Sequence, residues 1–164
     1  MIELAGSILL ESFVYSHPSK QMKIARIEAF HLRAAISRSF AFSQRAYSER
    51  ETALVAVETD GGLTGWGEAY GPAAPVKAAV EGLFAPLIGG RDPRDHEDLW
   101  HLMFARSVDH GQTGSLIAAL SALDIALWDL KAKAAGVPLY RLLGAAQTTS
   151  IPCYATGLYF YPGE

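Results

Sequence analysis

The segment from residue 119 to residue 144, ALSALDIALWDLKAKAAGVPLYRLLG, constrains the fold more than any other part of this sequence. Apolar residues here and just before it recur at steps of three and four, which places them within roughly 80° of one another on a helix. Gly136 suits the left-handed position after a helix, and Pro138 prevents continuation. The pattern predicts a buried central helix with a defined end. Its apolar stripe consists of Leu116, Leu120, Leu123, Leu127, Leu130 and Ala134.

Length and composition allow one globular domain with a real core. The chain has 164 residues, of which 50% are hydrophobic and 19% charged, as in ordinary soluble domains. A net charge of -3 without a basic cluster argues against a nucleic-acid binder. A single cysteine, Cys153, rules out an internal disulfide and is compatible with the cytoplasm. The apolar stretch near the N-terminus is too short to span a bilayer and lacks a preceding basic residue.

The segment from Thr52 to Tyr70 carries the clearest strand signal. Two apolar runs flank an Asp-Gly-Gly turn at residues 60–62, which predicts a hairpin. Gly65 and Gly67 leave one face of the second strand bare, so we expect another backbone or a helix to approach closely there. Residues 151–155 also read as one short strand.

Two further helices are predicted between the hairpin and the central helix. A short amphipathic helix follows Pro75 and ends near Pro86 and Gly89. Asp92 then suits a helix cap and Pro93 the first helical position, and this helix is expected to continue to about Arg106.

The central segment resembles, position by position, the first signature of the mandelate racemase and muconate lactonizing enzyme family, part of the enolase superfamily. The resemblance continues in ETDGGLTGWGEAYGP (residues 58–72), LIGGRDP (residues 87–93) and SIPCYATG (residues 150–157). The matching signature positions are Ala119, Ser121, Ala122, Leu123, Asp124, Ala126, Leu127, Asp129, Leu130, Ala132, Lys133, Pro138, Leu139, Leu142, Leu143 and Gly144.

The resemblance implies an α+β fold. A three-stranded antiparallel meander is followed by a three- or four-helix bundle, and the chain ends in the first strand of a truncated (β/α)8 barrel. The resemblance makes residues 23–33 the first strand. By themselves, Ile24, Ile27 and Phe30 lie three residues apart and would suit a helix. The implied divisions are an N-terminal extension at 1–21, a capping domain at 22–145 and the start of a barrel at 146–164.

The resemblance also implies a chemistry, namely metal-assisted removal of a proton beside a carboxylate. Family members use Mg²⁺, and their metal ligands and catalytic bases belong to barrel strands that this chain lacks. We therefore expect the capping part of a sugar-acid dehydratase, inactive alone, that serves a small carboxylate substrate within a homo-oligomer. A hydroxy-acid racemase is one alternative. Another is a non-catalytic binding or oligomerising module, or an inactive fragment.

Five residues are candidates for substrate binding. Residues 35–50, with Arg38, Phe42 and Tyr47, match in position the family loop that closes over the active site. Tyr70 follows the hairpin in a turn that faces the substrate in the family, and Thr156 lies just past the expected barrel strand. Both loops could equally be plain surface connections.

Other reactive side chains have simpler interpretations. Lys131 and Lys133 spell Lys-x-Lys like a family catalytic pair, but cations at a helix end need no catalytic role. Asp124 lies close to the apolar stripe, so we expect a hydrogen-bond or ion-pair partner and a loss of stability in Asp124→Ala. Glu97 and His101 lie four residues apart without further metal ligands, on a face of residues 95–101 expected to be solvated. Cys153 is expected to be buried.

Overall fold

The computed structural model describes residues 22–42, 45–144, 150–155 and 161, and for Phe42 and Arg45 it describes the backbone alone. Three strands form one sheet: β1 (Ile24–Phe42), β2 (Arg45–Thr59) and β3 (Thr64–Ala69). Their order is β1-β2-β3, and both pairs are antiparallel. The predicted meander and hairpin are confirmed. Residues 23–33 lie mainly in a strand because they pair with β2 along the ladder from Ile24↔Thr59 to Arg33↔Glu51.

The helices follow the sheet in chain order. They are α1 (Ala73–Ala79), a π-helical segment (Val80–Phe84), α2 (Ala85–Ile88), α3 (His96–Arg106), a 3₁₀ turn (Val108–His110), α4 (Ser115–Ala134) and α5 (Leu139–Leu142). α4 is the predicted central helix, and it buries Leu120, Leu123, Leu127 and Leu130.

The end of α4 is a Schellman motif. Gly136 has φ 66°, the Gly136 amide donates to the Lys133 carbonyl, and the Val137 amide donates to the Ala132 carbonyl, each at 3.1 Å. These two bonds satisfy carbonyls that a helix end otherwise leaves without partners. The predicted end is confirmed.

Helix α4 packs directly against strand β3. A Cβ atom added to Gly67 would lie 1.9 Å from the Ala122 carbonyl oxygen, and one added to Gly65 would lie 2.1 Å from that of Ala126. No side chain fits at such distances, so the two glycines set the separation between helix and sheet. The predicted close backbone approach is confirmed.

Both edges of the sheet are covered by a lysine and an acid four residues apart on a helix. At β3, the Trp66 amide donates to Asp129 Oδ2 at 2.9 Å, and Lys133 Nζ donates to the Thr64 carbonyl at 2.7 Å. At β1, the Ala29 amide donates to Glu81 Oε1 at 3.1 Å, and Lys77 donates to the Ala29 carbonyl. The side chains thus bond backbone groups that would otherwise offer an open edge for pairing.

Three sequence-based expectations about elements were wrong. α3 begins at His96 and not at Pro93, because the Asp92 carboxylate binds the Arg94 amide and guanidinium and forms a local turn. Residues 151–155 lie outside any strand in the described part of the chain, where no second strand pairs with them. Cys153 is exposed and not buried, since it belongs to that unpaired segment.

Candidate functional site

Strands β1 and β2 extend beyond the sheet as a two-stranded ribbon. Pairing between β2 and β3 stops at Ala53↔Ala69, whereas β1 and β2 remain paired as far as Phe42↔Arg45. We call residues 35–50 the ribbon arm; its positions 43 and 44 lie outside the described residues. A register shift between Ala35 and Phe40 interrupts the ladder. The segment expected to be a loop is therefore mostly paired strand.

An aromatic and cationic cluster occupies the ribbon arm. The Phe40 and Tyr47 rings stack across the ladder with centroids 5.6 Å apart and planes 17° apart. The Arg50 guanidinium lies 4.6 Å from the Phe40 centroid and 5.9 Å from that of Tyr47. These distances are within the range of cation–π attraction. The arm thus presents flat apolar faces beside a fixed positive charge.

Arg38 joins the ribbon arm to the C-terminal segment. Its guanidinium carbon lies 3.7 Å from the centroid of the Tyr161 ring, in direct cation–π contact. Arg38 was predicted from sequence as a site residue, whereas Tyr161 was not. The contact joins residues more than a hundred positions apart in the chain, and no local sequence pattern reveals such a contact.

The acids at the base of the arm are paired. The His31 ring lies 2.9 Å from Glu51 Oε2, and Arg33 Nη2 lies 3.6 Å from carboxylate oxygens of Glu49 and of Glu51. The hydrogen bond with His31 lowers the pKa of the Glu51 carboxyl, with smaller lowering by the charges of His31 and Arg33. The two carboxylates at the base of the arm therefore both have a basic partner.

The remaining predicted site residues have different outcomes. Tyr70 follows β3 at the end of the sheet where the arm leaves it, and its side chain is 97% exposed. The side chain of Phe42 and all of Thr156 lie outside the described residues. Arg38 and Tyr47 thus lie on one ribbon, while Tyr70 lies at its base.

A concave region lies between α3 and α4, apart from the ribbon arm. This α3–α4 cleft has a volume of about 270 Å³ and is lined by His96, Glu97, Trp100, His101, Asp124 and Trp128. His96 is only 4% exposed, so the expected solvated face is wrong at that position, although Glu97 and His101 are exposed. The His96 ring packs on Trp128 with centroids 4.2 Å apart, which explains its burial.

Asp124 differs from its prediction. Across the described residues, its carboxylate has no hydrogen bond or ion pair, and its charge interaction is with His96. Burial raises the pKa of the Asp124 carboxyl, and the nearby His96 lowers it by less. The expected bonded partner is absent because the carboxylate opens into the α3–α4 cleft.

Neither region forms a metal centre. Nowhere in the described ranges do three or more His, Cys, Asp or Glu side chains converge so that they could hold an ion. The Mg²⁺ that the family resemblance implies therefore does not fit the described residues. Lys131 and Lys133 bind His96 Nδ1 at 3.2 Å and Asp129 Oδ2 at 2.7 Å respectively, in agreement with a structural role.

A two-stranded arm extends from a small sheet, and helix α4 packs closely on that sheet at Gly65 and Gly67, which together define an α+β domain. Residues 26–144 match the family model of the mandelate racemase / muconate lactonizing enzyme N-terminal domain. The chain belongs to this family, and its three antiparallel strands followed by helices are the N-terminal capping fold of the enolase superfamily.

Named relatives include a D-galactarolactone cycloisomerase from Agrobacterium fabrum, 39% identical over 83% of this chain and 36% of its own length. A D-galactonate dehydratase from Xanthomonas campestris is 48% identical over 54% of this chain and 23% of its own. A solved enolase-superfamily structure from Polaromonas sp. JS666 is 31% identical, with a TM-score of 0.75 over 82% of this chain and 36% of that one. The chain therefore spans about a third or less of the length of these relatives.

Sequence reasoning missed the residues that cover the sheet edges and the tryptophans of the cleft. The spacing of Lys77 and Glu81, and of Asp129 and Lys133, was visible as i,i+4 pairs. Such pairs usually indicate only a solvated helix face.

No helix in the described part of the chain is long and apolar enough to cross a membrane.

Proposed function

We propose that this chain is the capping part of a sugar-acid enzyme of the family, most specifically a dehydratase, and that it supplies the substrate-facing arm. The ribbon arm with its arginines and stacked rings is the observation that carries the proposal. The names of the relatives, a D-galactonate dehydratase and a D-galactarolactone cycloisomerase, support the substrate class.

The chemistry of the arm suits a small hydroxylated carboxylate. Guanidinium groups such as Arg38 bind carboxylates through paired N–H donors. The Phe40 and Tyr47 rings present flat faces on which the C–H face of a sugar acid can pack. Closure of the arm over a bound substrate would exclude water and strengthen these charge interactions. The arm, in this proposal, binds and orients the substrate.

Proton removal and metal binding require groups other than the described residues. No metal-binding cluster lies among them, and the lysines of the Lys-x-Lys sequence are held in structural contacts. The 164-residue chain is therefore expected to show no turnover of D-galactonate or D-galactarolactone. Turnover by the purified chain would overturn the proposal.

The coding region beyond Glu164 provides the decisive test. We expect the reading frame to continue with a Lys-x-Lys strand and three spaced acids. In the protein expressed from that longer frame, Arg38→Ala should raise KM for the sugar acid about tenfold or more, as loss of a ground-state contact does. Arg106→Ala, which removes an exposed arginine at the end of α3, should leave KM unchanged. Equal KM values for the two variants would remove the arm from the substrate site.

A cycloisomerase is the second candidate, because the relative of that name matches 83% of this chain. Assays of the longer protein with both substrates separate the two candidates: loss of water from D-galactonate marks a dehydratase, and consumption of D-galactarolactone marks a cycloisomerase. A natural stop directly after Glu164 would favour a non-catalytic module. The hydroxy-acid racemase stays an alternative, because a solved structure described as a putative mandelate racemase from Bordetella bronchiseptica RB50 is 38% identical to this chain.

Three further assignments belong to this proposal. Residues 1–21 are an extension, 22–145 the capping domain and 146–164 the start of a barrel. We also propose that the protein is a homo-oligomer, which the exposed apolar residues Leu32 and Trp66 on the sheet support. We further propose that it is cytoplasmic, which the single cysteine supports.

A further inference from the structure

The α3–α4 cleft carries negative charge without a matching lysine or arginine. Among its lining residues, Glu97 and Asp124 are acids, and the basic members are the imidazoles of His96 and His101. An adjoining cleft, lined by Arg94, Asp95, His96, Glu97, Asp98 and Lys131, holds two permanent cations beside its acids. The two neighbouring clefts therefore differ in the charged residues that line them. The adjoining cleft has two cations for three acids, whereas the α3–α4 cleft has two acids and neither lysine nor arginine in its own lining.

The walls of the α3–α4 cleft are aromatic. Trp100 stacks on Phe104 with centroids 4.9 Å apart, and Trp128 packs on the His96 ring. Both indoles are therefore held in place, and both line the cleft. Rigid indoles beside carboxylates are the surroundings that favour an organic cation, which gains from ring and charge together.

His96 completes the floor of the cleft. Lys131 Nζ lies 3.2 Å from His96 Nδ1. Because an ammonium can only donate, Nδ1 is the acceptor in this contact. The lysine itself lies 4.9 Å from the Trp128 centroid but belongs to the lining of the adjoining cleft.

We propose that the α3–α4 cleft is a binding site for the guanidinium group of an arginine side chain presented by another polypeptide segment. The planar cation stacks on the indoles of Trp100 and Trp128 and pairs with the carboxylates of Asp124 and Glu97. A metal ion is a poorer occupant, because the described residues do not bring three ligands together. The volume of about 270 Å³ accommodates the end of one long side chain. This inference is independent of the proposed function.

The test is a titration of the 164-residue chain with N-acetyl-L-argininamide, followed by the NMR signals of the indole N–H groups. We expect saturable shifts at Trp100 and Trp128, with Trp66, which does not line the cleft, as an internal control. N-acetyl-L-citrullinamide, a neutral analogue of the same shape, should bind at least about tenfold more weakly. Absence of a saturable shift, or equal binding of the two compounds, overturns the proposal.

Variants locate the site. Asp124→Asn and Glu97→Gln should each weaken N-acetyl-L-argininamide binding several-fold, while Asp109→Asn, an exposed acid outside the cleft, should not. Glu97 is exposed at the start of α3, so its variant remains informative if Asp124→Asn fails to fold. The proposal is overturned if all three variants bind like the parent chain.

A third arm of the experiment identifies the source of the cation. Agmatine carries the same guanidinium on a free dicationic molecule. A polypeptide arginine is supported if agmatine binds no more tightly than N-acetyl-L-argininamide. Markedly tighter binding of agmatine would overturn the polypeptide source and assign the cleft to a small free amine.

Discussion

The carboxylate of Asp129 accepts a hydrogen bond from the Trp66 backbone amide at 2.9 Å, so a helix side chain closes the outer edge of strand β3. Lys133, one turn later, bonds both Asp129 and the Thr64 carbonyl, each at 2.7 Å. The pair therefore offers the strand one acceptor and one donor, as a neighbouring strand would. Lys77 and Glu81 do the same for Ala29 at the opposite edge.

Asp129→Ala should therefore destabilise the domain. It removes the acceptor of the Trp66 amide and the ion-pair partner of Lys133, and a lost charged hydrogen bond of this kind costs about 1–2 kcal/mol. Urea unfolding followed by tryptophan fluorescence measures the effect. Asp109→Ala, an exposed acid of the 3₁₀ turn, is the control, and equal unfolding free energies for the two variants would contradict this edge contact.

Gly67→Ala should be far more damaging. Its Cβ would lie 1.9 Å from the Ala122 carbonyl oxygen, so α4 must move away from β3 and lose packing along the core. We expect a loss of about 3 kcal/mol or more in the free energy of unfolding.

Gly82→Ala provides the matched control for that substitution. A Cβ at Gly82 would meet nothing within 4 Å, and the residue lies in a helical segment where alanine is favoured by about 0.5–1 kcal/mol. The same chemical change should therefore be neutral or stabilising there. Similar thermal midpoints for the two variants would mean that β3 and α4 are less closely packed than the structure shows.

Asp124→Asn should raise stability at neutral pH, contrary to the loss expected from sequence for Asp124→Ala. Burial raises the pKa of the Asp124 carboxyl above its unfolded value of 3.8. The ionised form thus costs stability above the folded-state pKa, and this cost disappears as the pH falls through that pKa. Urea midpoints at several pH values test this sign. A variant less stable than the parent at pH 7 would show that the carboxylate has a partner.

Glu81→Gln should lower the stability of the domain at neutral pH, which is the opposite of the effect expected for Asp124→Asn. The hydrogen bond from Lys77 lowers the pKa of the Glu81 carboxyl below its unfolded value of 4.5, and the Ala29 amide adds to this. Its stabilisation is present above pH 4.5 and is lost as the pH falls through the folded-state pKa. The variant should therefore be less stable than the parent at pH 7, and this difference should shrink as the pH falls below 4.5, as chemical unfolding can measure. A constant difference between the two proteins across this range would contradict the pairing.

The hydrophobic pattern of α4, its end at Gly136, the hairpin turn and the need for bare glycines opposite a helix were all readable from sequence. Each depends on local spacing or on the conformational range of one residue type. The start of α3 was misjudged because Asp92, a plausible helix cap, bonds Arg94 instead. A cap and a local turn use the same carboxylate, and only the surrounding packing selects between them.

The sequence by itself determined the family, the hairpin, the central helix and the end of that helix, because periodicity and signature positions are properties of neighbouring residues. Only the tertiary structure decided that Arg38 meets Tyr161, that two lysine–acid pairs cover the sheet edges, and that Asp124 opens into an aromatic cleft. These relationships join residues from separate elements. Their existence depends on how the elements pack, which local sequence spacing does not encode.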